Sequence, residues 1–341
     1  MSGIQRKRVD LRRELKRLMT LGQILWTYKR REVVCSSLPV RLWIEPTNAC
    51  NLKCIMCPRG MPGYSRGYMD INLFKRIMDE AKSFVYSIFL CLGGEPLLHP
   101  ELATMVRYAK SVGISSRLFT NATLLTRERV TALLQAGLDY ISFSFDGYDK
   151  ETYEKIRVGA NFEETLSNII AFLKLKQELG LNKPYATLQA LEFDESFTKM
   201  DAAKRKVFQK GFEGLPLNKF DIIKPHNWGG KLSGIGDASY GLKGKYSPCL
   251  FIWYSLAVLW DGTIVPCCRD LFGDYPLGHI DTTGLIGAWN GDRMVTLRRK
   301  IAAGNYGDVD LCADCDVLWR RRLFGVPNKR LGDILSFIKG P

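Results

Sequence analysis

From residue 41 onward, short runs rich in β-branched and aromatic residues alternate with longer stretches of helical periodicity, and this rhythm constrains the fold more than any other feature. Strands are predicted at 41–45, 86–92, 114–120, 140–146, 186–193 and 219–223. Helices are predicted near 71–83, 100–111, 126–136, 161–179 and 198–210, with Asp70 and Thr126 as starts and Gly113 and Gly137 as stops. Strands separated by helices imply a parallel sheet, because a parallel neighbour is reached only by a crossover. Six such repeats predict an α/β chain built on a partial (β/α)6 TIM-like barrel, with its chemistry at the C-terminal ends of the strands.

After Ile223 the rhythm breaks, and the Gly- and Ser-rich stretch around 229–236 reads as a linker. Leu256 to Trp260, Asp261-Gly262 and Thr263 to Pro266 then form a hairpin signal, for which Asp-Gly predicts a type I′ turn. One helix over about 283–302 and a short cysteine-containing loop follow. The expected organisation is a basic helical arm at 1–40, the barrel at 41–228, a linker at 229–239, a small hairpin-and-helix domain at 240–325, and a tail at 326–341. A chain of 341 residues exceeds what one hydrophobic core normally serves, which favours two units.

With 46% hydrophobic and 25% charged residues the chain falls in the globular class, not the disordered one. No apolar run reaches the length of a membrane span and the basic N-terminus has no signal-peptide core, so a cytoplasmic location is expected. Ten cysteines are too sparse for a disulfide scaffold of this size, and with only His99, His226 and His279 present, thiolate is the natural metal ligand.

Formal charge is +14, and half of the excess lies in residues 1–34, where ten Lys/Arg face Asp10, Glu14 and Glu32. Leu11, Leu15, Leu18 and Leu25 fall near helical spacing, with Arg12, Arg13, Lys16 and Arg17 between them. This arm reads either as a helix packing its Leu face on the barrel bottom or as a basic amphipathic helix on an anionic membrane surface. The remaining charge could draw a phosphorylated or carboxylated substrate. Basic and aromatic residues do not interleave as in nucleic-acid-binding strands, so no nucleic-acid partner is expected.

Cys50, Cys54 and Cys57 stand as C-x3-C-x2-C in the loop after the first strand. Three thiolates can hold three irons of a cubane and leave the fourth open, while a zinc site normally takes four ligands. Cys249, Cys267, Cys312 and Cys315 come from three separated segments and could complete a second cubane or a structural zinc site. Cys268 is left over, and reads as a structural thiol, an alternative ligand, or a thiol that donates a hydrogen atom or takes a proton. Cys35 and Cys91 read as core thiols.

The loop WIEPTNACNLKCIMCP resembles the cluster loop of the radical S-adenosylmethionine (SAM) superfamily, with Met56 where an aromatic residue usually precedes the last cysteine. Gly93-Gly94-Glu95-Pro96 resembles the motif that binds the SAM amino group. Thr120-Asn121-Ala122 is similar to the family's TNG, with Ala for Gly, and Ser144-Phe145-Asp146-Gly147 resembles its SxDG near the ribose and carboxylate. Arg157 resembles a basic residue that pairs with the carboxylate, although by itself it also reads as a solvated helix charge.

DGTIVPCCRD, LGHI, AWNGDRMVTLRR and CADC resemble the SPASM/twitch extension, in the form with one auxiliary cluster because no cysteine follows Cys315. The spacing is similar to that of the aminocyclitol-oxidising members. Cys268 stands where sulfatase-maturing relatives place a carboxylate base, which argues against formylglycine formation.

The resemblance implies a [4Fe–4S] cluster on Cys50, Cys54 and Cys57 that binds SAM, and an auxiliary [4Fe–4S] cluster on Cys249, Cys267, Cys312 and Cys315. Met56, Gly93, Gly94, Glu95, Pro96, Asn121, Ser144, Asp146 and Arg157 would hold SAM, with a flavodoxin- or ferredoxin-type reductant as partner. The implied reaction is hydrogen abstraction from a small polar substrate such as a sugar or aminocyclitol, giving oxidation. The alternatives are epimerisation with Cys268 as hydrogen donor, or modification of a ribosomal peptide. Outside that class stand a non-catalytic Fe–S carrier and a zinc-stabilised scaffold.

Overall fold

The computed structural model describes residues 3–60, 66–193, 202–232 and 246–319 and the short strands 322–323 and 326–327, with side chains from residue 14 to 319. Residues 198–201, most of the expected linker and most of the tail lie outside the described residues.

Six strands, β1 (Arg41–Ile44), β2 (Ser87–Leu90), β3 (Ser115–Thr120), β4 (Tyr140–Ser144), β5 (Tyr185–Leu191) and β6 (Lys219–Ile223), run parallel in sequence order. Alternation along them separates two faces. Leu42, Ile44, Ile88, Leu90, Leu118, Ile141, Phe143, Ala186 and Leu188 are fully buried in the core shared with the crossover helices. The opposite face carries Trp43, Phe89, Phe119, Tyr140 and Tyr185 in a continuous aromatic ladder, with neighbouring ring centroids 4.3–6.0 Å apart. The Arg41 and Arg117 guanidinium groups lie over the Phe89 ring, at 4.5 and 5.3 Å.

The crossover helices begin and end on the expected residues. Asp70 accepts from the Asn72 and Leu73 N–H groups to open α2 (Ile71–Ala81), and Gly137 closes a later helix, Arg127–Ala136, in the left-handed region. One crossover helix, Lys150–Ile156, was not expected from the sequence; the Asp149 carboxylate caps its Thr152 N–H.

The C-terminal hairpin does not stand apart from the barrel. β7 (Ser255–Val258) pairs with β1 in parallel, and β8 (Thr263–Val265) and β9 (Gly278–His279) continue antiparallel, so one sheet runs through both units. The expected type I′ turn is not formed: only Gly262 has a positive φ, +95°, and Leu259 accepts from the Gly262 N–H. This is a type I turn closed by a glycine bulge. The single helix expected over 283–302 is two, Gly284–Asn290 and Asp292–Ala303, broken at Gly291 where ψ is 161°. Arg298, fully buried, stacks on Trp289 and donates to the Ile252 and Val33 carbonyls and to Asn290, tying this pair of helices to the segment before β7.

The N-terminal helix α1 (Gly3–Arg30) docks on the C-terminal unit through Leu21, Ile24 and Tyr28, with the Tyr28 hydroxyl bonded to Pro248 and Ser247. The face that packs is not the expected one. Leu15 and Leu18 are exposed, Leu25 is only half-buried, and the Leu11 side chain lies outside the described residues. Leu15 and Leu18 of the expected stripe face solvent, while Leu25 packs at the edge of the core, whose larger buried contacts come from Ile24 and Tyr28.

Candidate active site

β1 ends at Ile44, and after Glu45 the chain crosses the C-terminal rim of the barrel as the loop bearing Cys50, Cys54 and Cys57, all half-buried. Main-chain bonds to two other elements fix this loop. Lys53 N–H donates to the Val158 carbonyl at 2.9 Å and Ile55 N–H to that of Ile156 at 3.1 Å, so the end of the unexpected helix is its support. On the other side the Glu95 N–H donates to the Ala49 carbonyl at 2.8 Å. Gly94 lies so close to the Thr47 and Ala49 carbonyls that a Cβ there would overlap both. Only glycine permits that approach of two backbones.

Burial pushes the Cys50 thiol up and the Cys54 thiol to about 11, with Arg157 pulling Cys54 the other way. Asn121 Nδ2 reaches the Cys50 sulfur at 3.8 Å and Asn51 Oδ1 at 3.0 Å. The motifs predicted on the strand ends thus converge on this loop.

Glu95 is buried and its carboxylate accepts from Thr120 Oγ1 at 2.7 Å, the Asn121 N–H at 2.7 Å and the Leu97 N–H at 3.0 Å. That side chain locks the end of β2 to the end of β3, with Pro96 opening a short turn, so the groups left for a ligand are the backbone of Gly93 and Gly94. Ala122, where glycine resembles the family rule, has φ +64°, the left-handed conformation that explains the preference. Asp146, fully buried, accepts from Arg157 Nε at 2.8 Å and from the Leu191 N–H at 2.6 Å. Burial raises the Asp146 carboxyl, against the pull of Arg157; the carboxylate in turn raises the guanidinium. Arg157 is therefore not a solvated helix charge. Ser144 stands half-buried on the same face of β4 as Tyr140. Met56 packs with Ile156 and Phe193 beside Cys54, and its carbonyl accepts from Trp228 Nε1 at 2.8 Å.

Glu45 was not singled out in the sequence. It is fully buried and accepts from the Gly93 N–H at 3.0 Å and the Trp260 N–H at 3.2 Å, so it joins the Gly93-Gly94 loop to the tip of the β7–β8 hairpin. Burial pushes its carboxyl up to about 7. The signal was present as an acid at the end of an apolar strand, where a barrel keeps its functional groups.

Cys249, Cys267, Cys312 and Cys315 line one cavity, together with Arg269 and the apolar side chains of the C-terminal core. Arg269 is paired with Asp316 at 3.5 Å. Among the described residues no three His, Cys, Asp or Glu side chains are placed to hold one metal ion. Four thiols around an apolar cavity fit a polynuclear cluster, which takes one sulfur per iron. Burial first, and then the neighbouring Cys268, push the Cys91 and Cys267 thiols well above their ordinary range. Cys268 therefore lies near both Cys267 and Cys91, which is half-buried at the end of β2 and not a core thiol; Cys35 is one.

The model of the radical SAM superfamily matches residues 44–181, and that of the SPASM iron–sulfur cluster-binding domain matches 249–316. The tungsten-containing aldehyde ferredoxin oxidoreductase cofactor-modifying protein of Pyrococcus furiosus is 26% identical over 84% of this chain and 96% of its own length. Among solved structures, BtrN in complex with AdoMet and 2-DOIA has a TM-score of 0.56 at 21% identity, covering 82% of this chain and 93% of BtrN. SuiB of Streptococcus suis bound to the precursor peptide SuiA has a TM-score of 0.55 at 16% identity, covering 87% of this chain and 73% of SuiB. These two likenesses establish the fold. Such domains carry a SAM-binding [4Fe–4S] cluster and auxiliary iron–sulfur clusters, and the chain belongs to the radical SAM superfamily with a C-terminal SPASM domain.

Proposed function

We propose that this enzyme abstracts hydrogen from a small polar substrate and oxidises it by two electrons. Cys50, Cys54 and Cys57 would hold the SAM-binding cluster, and Cys249, Cys267, Cys312 and Cys315 the auxiliary one. When bound, SAM and the clusters supply the 5′-deoxyadenosyl radical and the electron transfers.

The chain's own part is orientation and exclusion of water. The Gly93 and Gly94 backbone, held by Glu45 and Glu95, would receive the amino group of SAM. Arg157, held by Asp146, would take the carboxylate, and Met56 with Ile156 and Phe193 would give the adenine an apolar wall. The substrate would lie against the inner face of the sheet, where Ser142, Thr187 and Gln189 share the face of the aromatic ladder and Arg117 lies over its Phe89 and Tyr140 rings.

The observation that carries this reading is that one sheet runs from β1, which delivers the first thiol loop, into the β7–β8 hairpin, which delivers Cys267 and Cys268. That continuity supports the first thiol loop and Cys267 acting across one sheet. Cys268, a thiol beside Cys91 that the four-cysteine set does not use, supports epimerisation as the second reading.

Turnover with a candidate polyol in deuterated water separates the two. An oxidised product without solvent deuterium on the reacting carbon supports the proposal; an unoxidised epimer carrying deuterium overturns it. Formation of 5′-deoxyadenosine only with a peptide would move the substrate class.

A further inference from the structure

We propose that the outer face of α1 docks this protein on an anionic phospholipid surface. Leu15, Leu18, Met19 and Trp26 are 51%, 45%, 68% and 62% exposed. At 100° per residue these positions, with Gly22 between them, fall in one stripe about 100° wide, opposite the face that packs through Leu21, Ile24 and Tyr28. A Cβ at Gly22 would meet nothing, so the stripe is uncovered along its length.

Soluble helices pair one apolar face with one polar face; this helix has two apolar faces and only one is packed. What borders the second face selects the occupant. Lys16 and Arg30 are exposed along one flank, Lys29 lies in line with the stripe one turn beyond Trp26, Glu14 is exposed on the other flank, and the Arg30 guanidinium lies over the Trp26 ring at 5.3 Å. The whole helix carries nine Lys/Arg against Asp10 and Glu14, with no acid in its first turn. A narrow, convex apolar line with cations along one side and at its C-terminal end, carrying Trp and Leu, matches the interface of a bilayer, where side chains sink to the acyl boundary and ammonium and guanidinium groups meet lipid phosphates. The stripe between Leu15 and Trp26 spans about 17 Å, and the inner face is fixed to the protein by Tyr28 and by Arg31, which donates to the Ala302 carbonyl, so the helix presents the lipid-facing side without unfolding. Attachment would leave the barrel rim, built from other elements, free.

The test is sedimentation of the full reconstituted chain with vesicles of phosphatidylcholine alone and of phosphatidylcholine mixed with phosphatidylserine. The expected result is binding to the anionic vesicles, weakening with salt, and negligible binding to the neutral ones. The triple variant Leu18→Ser, Met19→Ser, Trp26→Ser should lose about tenfold or more of this binding while keeping wild-type iron content, melting temperature and SAM cleavage. Absence of binding at low ionic strength, or undiminished binding of the triple variant, would overturn the proposal. So would a concentration-dependent dimer that the variant abolishes, which would make a second copy the occupant.

Discussion

Replacing Arg157 by Ala removes one half of an ion pair whose side chains are 10% and 1% exposed. The Asp146 carboxylate keeps the Leu191 N–H but loses its counter-charge. Stranding a buried charge in this way costs about 3–5 kcal/mol, a large part of the 5–15 kcal/mol that holds a typical domain. The cost falls on the site itself, because the carbonyls on either side of Arg157 hold the cluster loop at Ile55 and Lys53. Denaturant titration of Arg157→Ala, Asp146→Asn and the double variant forms the assay. The double variant should be more stable than the sum of the single losses by about 1–3 kcal/mol, since Asn leaves no charge to strand. The stability gap of Arg157→Ala should also narrow as pH falls toward about 4, because the freed carboxyl takes a proton in both folded and unfolded chains there. A loss under about 1 kcal/mol, or additivity within about 0.5 kcal/mol, would refute the reasoning.

Two further outcomes follow from the same rim. Glu45, with a folded value of about 7 against an ordinary 4.5, releases its proton first in the unfolded chain. Its contribution is therefore full below about pH 4.5 and falls by up to about 3 kcal/mol as pH rises to 7. Urea titrations across that window should show Glu45→Gln gaining on the wild type as pH rises, and a constant difference would contradict the assignment. Gly94→Ala puts a Cβ 2.5 Å from the Ala49 carbonyl oxygen and closer still to that of Thr47, so the two loops must separate. SAM affinity, read by equilibrium dialysis, should weaken by about tenfold or more with iron content retained; unchanged affinity would show that the close approach is not needed.

The parallel strands, the capping residues and both cysteine sets were legible because each leaves a local mark: period-two runs, Asp70 and Gly137 at helix ends, and thiols at fixed spacing. What was missed depends on distant partners. Seven residues at Lys150–Ile156 carry too little periodicity to announce a helix, yet they deliver Arg157. The pairing of β1 with β7 joins segments more than two hundred residues apart, beyond any local pattern. The face of α1 that packs was chosen by Pro248, Ser247 and Trp253, which the helix sequence cannot see. Asp261-Gly262 predicted a turn and its place, but Glu45, accepting the Trp260 N–H, holds a different turn type there.

The most direct measurement is the EPR spectrum of the reduced, anaerobically reconstituted protein before and after addition of SAM. A cluster held by three cysteines, with its fourth iron open, should change its g values on SAM binding, and Cys57→Ala should abolish that component while leaving the auxiliary signal. A spectrum indifferent to SAM would contradict the account.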